Sequence, residues 1–356
     1  MVEYDTGKLD QPTVVSRIRA AHAQQRGAVE PVPCRRLELP IVFDHPSIRE
    51  SEERYMKLQR ENAVYMPDEV RYMQENNGLG SRDAVFDILR RTRFLVVTVG
   101  FMSGLPLMLP LDPLSRLTCQ KYNPTRTTTP PGTVGLGGSL FCIYPTEQPG
   151  GYMMLARSLP VWDTFCVRPS FAAAGTPWLC EPFDLVEFRE VGVAEYEDAL
   201  RRFESGTYRV EFEAATFDVG AELAAERERA ATPAVAEFRR RQRDASRRML
   251  AREEARLAEW DAAQQAALGT QVSEADLGAG AAGESRLVAS QIGKIWKVQV
   301  AVGDRVVAGQ TLLILEAMKM EIPVAAGRDH DGLVVKDILL REGALVSPGN
   351  VLMVLE

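Results

Sequence analysis

Residues 316–321 read Glu316-Ala317-Met318-Lys319-Met320-Glu321, one lysine held between two methionines. The sequence on either side of it repeats. The stretch 293–316 (GKIWKVQVAVGDRVVAGQTLLILE) and the stretch 332–356 (GLVVKDILLREGALVSPGNVLMVLE) share their glycine spacing: Gly303 to Gly309 recurs as Gly343 to Gly349, and Gly309 to Glu316 recurs as Gly349 to Glu356. A repeat of this kind sets the architecture before any local feature does. Within each copy apolar and polar residues alternate, as at Ile295, Val298, Val300, Leu312 and Ile314, which is the period of a half-buried strand. Neither copy can bury its apolar face alone, so the pair is expected to pack as a small sandwich. Lys319 then falls on the hairpin that joins the copies, at the end away from the chain termini.

This stretch, over residues 285–356, resembles the biotinyl carrier domain of biotin-dependent carboxylases. The Ala317-Met318-Lys319-Met320 tetrapeptide carries the resemblance, because related lipoyl domains usually place an acidic residue before the lysine and a small one after it. The resemblance implies that a biotin protein ligase acylates the Lys319 amine, with Met318 and Met320 flanking the attachment point. It also implies that the tethered ureido ring carries carboxylate between two active sites.

The rest of the chain is compatible with that role. Its 356 residues suffice for two domains and linkers. A net charge of -7 argues against general nucleic-acid binding, which leaves a basic footprint. Five dispersed cysteines without a CxxC pair fit reduced thiols in a cytoplasmic protein. Three distant histidines (His22, His45, His330) make a zinc site unexpected, so no metal is assigned. No apolar run approaches membrane-spanning length.

From the start, Val14, Ile18 and Ala21 mark a short helix, and 37–43 alternates as a strand. A helix follows with Ser47 as its cap and Glu50 at the capping-box spacing. Two more are expected, from Asp68 to Asn77 and from Ser81 to Arg91, the last capped by Ser81. From Phe94 short apolar segments alternate with Pro-, Gly- and Thr-rich turns up to about Glu190, the pattern of a barrel or sandwich. The segment 207–212 reads as one more strand. Thr232-Pro233 opens a long Ala-, Arg- and Glu-rich run without glycine, expected as a solvated helix whose Arg239, Arg240, Arg241 and Arg243 form a charged surface. Residues 268–284 are small and glycine-rich, a leash for the carrier.

The densest chemistry outside the carrier lies in Lys121-Tyr122-Asn123-Pro124-Thr125-Arg126, in the 131–139 run containing Gly135, Gly137 and Gly138, and in Tyr144 and 149–152. Glycine-rich backbone can present N–H groups to an anion, and Arg126 could clamp a carboxylate. The spacing matches neither a dinucleotide fingerprint nor a Walker loop. Gly and Pro in hairpin turns would produce the same pattern.

The order of these pieces resembles the allophanate hydrolase subunit 1 family, in its version inside urea carboxylase. The matching stretches are 37–44 (LELPIVFD), 54–56, 63–67, 76–79, 111–113, 121–126, 132–138 and 149–152. The resemblance implies a mainly β fold with α segments. Residues 1–92 would be a partial α/β lobe, 93–220 a cyclophilin-like β-barrel with carboxyltransferase activity, 221–284 a helical then flexible linker, and 285–356 the carrier. It further implies that carboxylate borne on the biotin of Lys319 passes to a urea nitrogen to give allophanate. Arg126 and the Gly135, Gly137 and Gly138 loop are expected to receive the carboxylate, and Asn123 and Tyr144 the small amide.

The chain begins part-way into that family's N-terminal lobe and shows no ATP-grasp domain. A biotin carboxylase using ATP and bicarbonate, and a sister carboxyltransferase domain, are therefore expected partners, in the same full protein or in trans. Two other readings remain open. One is a non-catalytic biotin carrier and scaffold subunit. The other is a relative of related fold, a carboxylase or an amidohydrolase of the allophanate hydrolase or 5-oxoprolinase type, acting on another small amide.

Overall fold

The computed structural model describes residues 7–24, 30–269, 284–317 and 320–356. The larger body contains α1 (Gln11–Gln24), β1 (Val32–Ile41), α2 (Pro46–Leu58), α3 (Glu69–Asn76), α4 (Asp83–Arg91), β2 (Phe94–Val99), β3 (Pro106–Pro110), β4 (Arg126–Thr129), β5 (Thr133–Gly137), β6 (Leu140–Ile143), β7 (Gln148–Gly150), β8 (Met153–Arg157), α5 (Pro169–Ala174), β9 (Leu185–Glu190), α6 (Val193–Glu204) and β10 (Glu213–Phe217). Eight of the strands form one sheet in the order β10-β1-β9-β2-β3-β6-β5-β8, while β4 and β7 pair separately. All pairs are antiparallel except β1 with β9.

This sheet is open, which corrects the expected cyclophilin-like β-barrel: among the described residues β10 and β8 are free edges, and no ladder joins them. Among the described residues an isolated bridge, Val42 to Arg157, is what connects the end of β1 to β8. A ladder is blocked at this edge because α3 packs on it. The buried Glu69 carboxylate takes the Met154 N–H that a further strand would have used. The body is thus a mixed α/β fold built on several sheets.

Smaller differences have equally local causes. The strand expected at 207–212 forms at Glu213–Phe217 instead, in register with Val32 through Arg36. The expected residues are committed elsewhere, Tyr208 N–H to the Arg202 carbonyl and Val210 N–H to Ser170 Oγ. The cap of α2 is His45, whose side chain accepts the Ser47 N–H, not Ser47 itself. Asp68 caps α3, its side chain accepting the Arg71 N–H.

Two helices follow, α7 (Val219–Ala230) and α8 (Pro233–Gly269). The long helix is less solvated than its composition suggests. Val235, Phe238, Ala245, Met249 and Glu253 make a buried stripe along it at helical spacing. Gln242 Nε2 donates to Asn77 Oδ1 (2.8 Å) and Ser246 Oγ to the Asn76 carbonyl (3.0 Å). The 268–284 leash lies largely outside the described residues.

The C-terminal domain contains β11 (Ser285–Val288), β12 (Gly293–Val298), β13 (Thr311–Ala317), β14 (Met320–Ala325), β15 (Val335–Ile338), β16 (Leu345–Val346) and β17 (Val351–Leu355). Its two sheets, β14-β13-β12-β16 and β11-β17-β15, enclose a core of Leu287, Ile295, Leu313, Leu315, Val335 and Met353 among others. The internal repeat is visible in the turns. Gly303 and Gly309 take φ of +96° and +84°, and Gly343 and Gly349 take +85° and +88°, a region that glycine enters without steric cost. The copies interlock through these turns: Gly303 N–H donates to the Val335 carbonyl (2.8 Å), and Gly343 N–H to the Ile295 carbonyl (2.7 Å). Each copy completes the other.

Candidate functional site

Strands β13 and β14 stay in register up to Glu316 opposite Glu321 and Ala317 opposite Met320. Met318 and Lys319, between those ends, lie outside the described residues, as does the Met320 side chain. The arms of the hairpin are well defined, and one of them touches the larger body. Arg54 of α2 bonds Glu321 at 2.6 Å and Lys57 bonds Glu342 at 2.7 Å. The same two cations lie over the Trp296 ring, Arg54 at 4.6 Å and Lys57 at 5.2 Å from its centroid. Lys294 Nζ donates to the Gln59 carbonyl at the end of α2 (3.0 Å). Burial lowers the pKa of this ammonium. All of these pairs are half-exposed, so each is individually weak. A contact of this strength can be made and broken.

Docked in this way, the hairpin shares a cavity of about 830 Å³ with the body: Ala317 and Ile322 on one side, Leu58, Gln59, Pro124 and Trp260 on the other. Pro124 belongs to the segment 121–125, which is anchored from beneath. The Asn123 carbonyl accepts Arg60 Nη1 (3.0 Å), Asn123 N–H donates to Tyr65 Oη (2.8 Å), and Tyr55 Oη donates to the Pro124 carbonyl (3.0 Å). Arg60 is itself buried and paired with Glu253 of α8 at 2.5 Å. The long helix therefore braces the segment that faces the carrier.

Across that segment lies a second cavity of about 400 Å³, lined by Phe101, Met102, Lys121, Thr125, Tyr144, Gln148, Gly150, Gly151 and Tyr152. Lys121 is exposed at its wall, with its ammonium 5.4 Å from the Tyr152 ring centroid. Gln148 is 6% exposed, and its Nε2 has no hydrogen-bond partner among the described residues. A buried amide donor left unpaired at a cavity wall favours an acceptor in the cavity. Tyr144 Oη accepts Tyr152 N–H at 3.4 Å, and burial pushes its phenol well up. Lys121 stood in the 121–126 stretch without an assigned role, and Gln148 was not singled out from the sequence. Gln148 stands just before the 149–152 stretch, and its significance lies in burial without a partner among the described residues.

The residues expected to handle the carboxylate are arranged differently from the expectation. Arg126 is 2% exposed and does not line the cavity. Its Nη1 donates to the Tyr152 carbonyl (2.7 Å), its Nη2 to Thr129 Oγ1 (3.1 Å), and its guanidinium stacks 4.2 Å from the Tyr122 ring. Beneath it, Glu69 accepts from Tyr122 Oη and Met154 N–H, and burial raises its pKa to about 7. Gly135 and Gly137 are not in a loop. They sit inside β5, paired with Cys142 and Leu140 of β6. Their lack of side chains serves packing: a Cβ on Gly137 would lie 2.1 Å from the Tyr152 ring, and one on Gly135 would press on Tyr152 and Tyr144. Gly138 follows at φ +65° with open space around it. Asn123 is exposed between the two cavities, and Tyr144 lines the smaller one.

A two-sheet domain whose β13–β14 hairpin lies beside a cavity on an α/β body defines a carrier joined to a second domain. Comparison with known proteins agrees. Residues 1–172 match the family "Carboxyltransferase domain, subdomain C and D", and residues 280–355 match "Biotin-requiring enzyme". A putative urea carboxylase of Emericella nidulans is 34% identical over 354 residues, 99% of this chain and 28% of that protein. Urea amidolyase of Saccharomyces cerevisiae is 32% identical over 332 residues, 90% of this chain and 17% of that one. The Bacillus subtilis biotin/lipoyl attachment protein is 46% identical over 61 residues, 17% of this chain and 80% of that protein. The crystal structure of Kluyveromyces lactis urea carboxylase superposes with a TM-score of 0.76 at 28% identity, covering 99% of this chain and 30% of that one.

The chain belongs to the urea carboxylase and urea amidolyase family, and corresponds to its carboxyltransferase and biotinyl-carrier region. It spans less than a third of the length of the full-length relatives it matches. Its C-terminal domain is a biotin/lipoyl attachment domain. Among the described residues, no helix is long and apolar enough to cross a membrane.

Proposed function

We propose that this chain is the carboxyl-transfer end of a cytoplasmic urea carboxylase, passing carboxylate from biotin on Lys319 to urea to give allophanate. Biotin supplies a ureido nitrogen that holds a carboxyl group and releases it to an acceptor. The chain's own residues do the rest. Arg54, Lys57 and Gln59 hold the carrier so that its hairpin faces Pro124, and the segment 121–125 separates that hairpin from the smaller cavity. The observation that carries the reading is this shared wall between carrier and cavity.

Within the cavity, Lys121 would stabilise the incoming carboxylate, because it is the accessible ammonium there. Gln148 Nε2 and Tyr144 Oη would orient the urea carbonyl and amide edges, with the exposed Asn123 beside them. Arg126 would act as a positioning residue, holding the Tyr152 backbone and Tyr122, and Gly135 and Gly137 would let Tyr152 and Tyr144 lie flat on β5. A biotin protein ligase would modify Lys319. A biotin carboxylase using ATP and bicarbonate, together with a sister carboxyltransferase domain, would complete the enzyme. Five unpaired thiols suit a reducing compartment, and the net charge of -7 offers no footprint for nucleic acid.

The test is urea-dependent formation of allophanate by the full-length enzyme carrying Lys121→Ala or Gln148→Ala. Each change should lower turnover by about 10²-fold or more, as removal of a preorganised donor at developing charge does. Unchanged turnover in both would refute the assignment of this cavity.

A further inference from the structure

Alongside α2 lies a further cavity of about 300 Å³, at the small end of ligand sites, whose wall residues Glu53 and Met56 also border the groove between α2 and the carrier. Its walls come from the end of β1, from α2, from the start of α3 and from β8: Asp44, His45, Ile48, Glu52, Asp68, Val70, Arg82 and Leu155 are among them. Most of its polar groups are already engaged. Arg82 pairs with Asp44 at 2.7 Å and with Asp68 at 3.1 Å, and His45 contacts Glu197 and Ser47 through its two ring nitrogens, each at 2.8 Å. Arg49 and Glu53 are exposed at the mouth.

Glu52 differs. It is 6% exposed, and its Oε1 accepts Glu69 N–H at 3.1 Å, while Oε2 has no partner among the described residues. Burial and the nearby Glu69 and Asp68 carboxyls raise its pKa to about 8, with Arg49 and the Glu69 N–H opposing. At neutral pH it is therefore mostly a neutral acid. A neutral carboxyl presents an O–H donor and a C=O acceptor side by side, which is the complement of a primary amide's C=O and N–H₂ edge. Ile48, Val70 and Leu155 add apolar wall, and the Arg82, Asp44 and Asp68 charges beside them are already paired with one another, so an uncharged ligand is favoured over an ion.

We propose that this cavity is a second small-molecule site, taking a primary amide or urea edge-on against the Glu52 carboxyl. It is distinct from the cavity at Tyr144 and Gln148, and binding there requires neither biotin nor turnover. The proposal therefore stands or falls independently of the carboxyl-transfer reading.

The experiment is a titration of the full chain with urea and with acetamide at millimolar concentrations, following the backbone amide resonance of Glu69 by NMR. That N–H donates to Glu52 and reports directly on it. Wild type and Glu52→Gln should both give saturable shifts of similar affinity, because glutamine keeps one donor and one acceptor. Glu52→Leu should bind about tenfold more weakly or worse. Above pH 8 the wild-type affinity should fall by about tenfold per unit as the carboxyl ionises, and that of Glu52→Gln should not. A non-saturating shift, equal binding by Glu52→Leu, or the same pH dependence in Glu52→Gln would each overturn the proposal. If Glu52→Leu does not fold, the pH comparison between wild type and Glu52→Gln decides.

Discussion

Replacing Trp296 by alanine should release the carrier without unfolding either domain. The indole is half-buried between Arg54 and Lys57, at 4.6 and 5.2 Å from its centroid, and lies outside the core of the carrier. Cation–π contacts at exposed sites are worth about 0.5–1 kcal/mol each, so losing two removes about 1–2 kcal/mol. At 1.4 kcal/mol per decade, the docked-to-free ratio should drop about 5- to 25-fold. Amide ¹⁵N relaxation reads this directly. A docked carrier tumbles with the whole 39.5 kDa chain, and a released one tumbles as a small tethered domain. The variant should shorten the correlation time of residues in β12, β13 and β17 while leaving those of β2 and β5 unchanged. Raised salt should act in the same direction, since the Arg54–Glu321 and Lys57–Glu342 pairs are half-exposed and screened. An unchanged carrier correlation time in Trp296→Ala would refute the idea that this ring holds the docked state.

Other expectations follow from buried groups. Glu253→Ala leaves the Arg60 guanidinium buried without its carboxylate and should cost about 3–5 kcal/mol in chemical denaturation. Replacing both partners by leucine and methionine should recover most of that loss. Gly137→Ala drives a Cβ into the Tyr152 ring and should cost about 1–3 kcal/mol, largely recovered by adding Tyr152→Ala. The folded-state pKa of Glu69 is raised from 4.5 to about 7 by burial. The folded chain then binds more protons than the unfolded one between those values, so this group's contribution to stability declines as pH rises through that window. In thermal denaturation the stability of Glu69→Gln relative to wild type should accordingly improve from pH 5 to pH 7, and a flat difference would contradict the assignment.

The carrier was legible because a repeat constrains many positions at once. The spacing of Gly303, Gly309, Gly343 and Gly349 demands four positive-φ turns, and the structure contains all four. The body was legible only locally. Short apolar runs located β2, β3, β6 and β8, but whether a sheet closes depends on what covers its last edge. That depended on Glu69, a residue with nothing distinctive in its sequence surroundings. The glycine run at 135–138 could serve either an anion or a neighbouring side chain, and only the placement of Tyr152 separates the two. Arg126 was a reasonable choice by residue type, yet its reach is spent on the Tyr152 carbonyl and Thr129. The same limit hid the role of α8, since its buried stripe mixes Val235 and Phe238 with Ala245 and Glu253, which a composition reading assigns to solvent.

The central claim is that Lys319 carries the carboxyl group that urea receives. Its most direct test is transfer of label from ¹³C-bicarbonate into allophanate by the full-length enzyme with ATP and urea, compared between wild type and Lys319→Arg. The account predicts labelled allophanate that requires urea and is absent from the arginine variant. Labelled allophanate formed equally well by Lys319→Arg would contradict it.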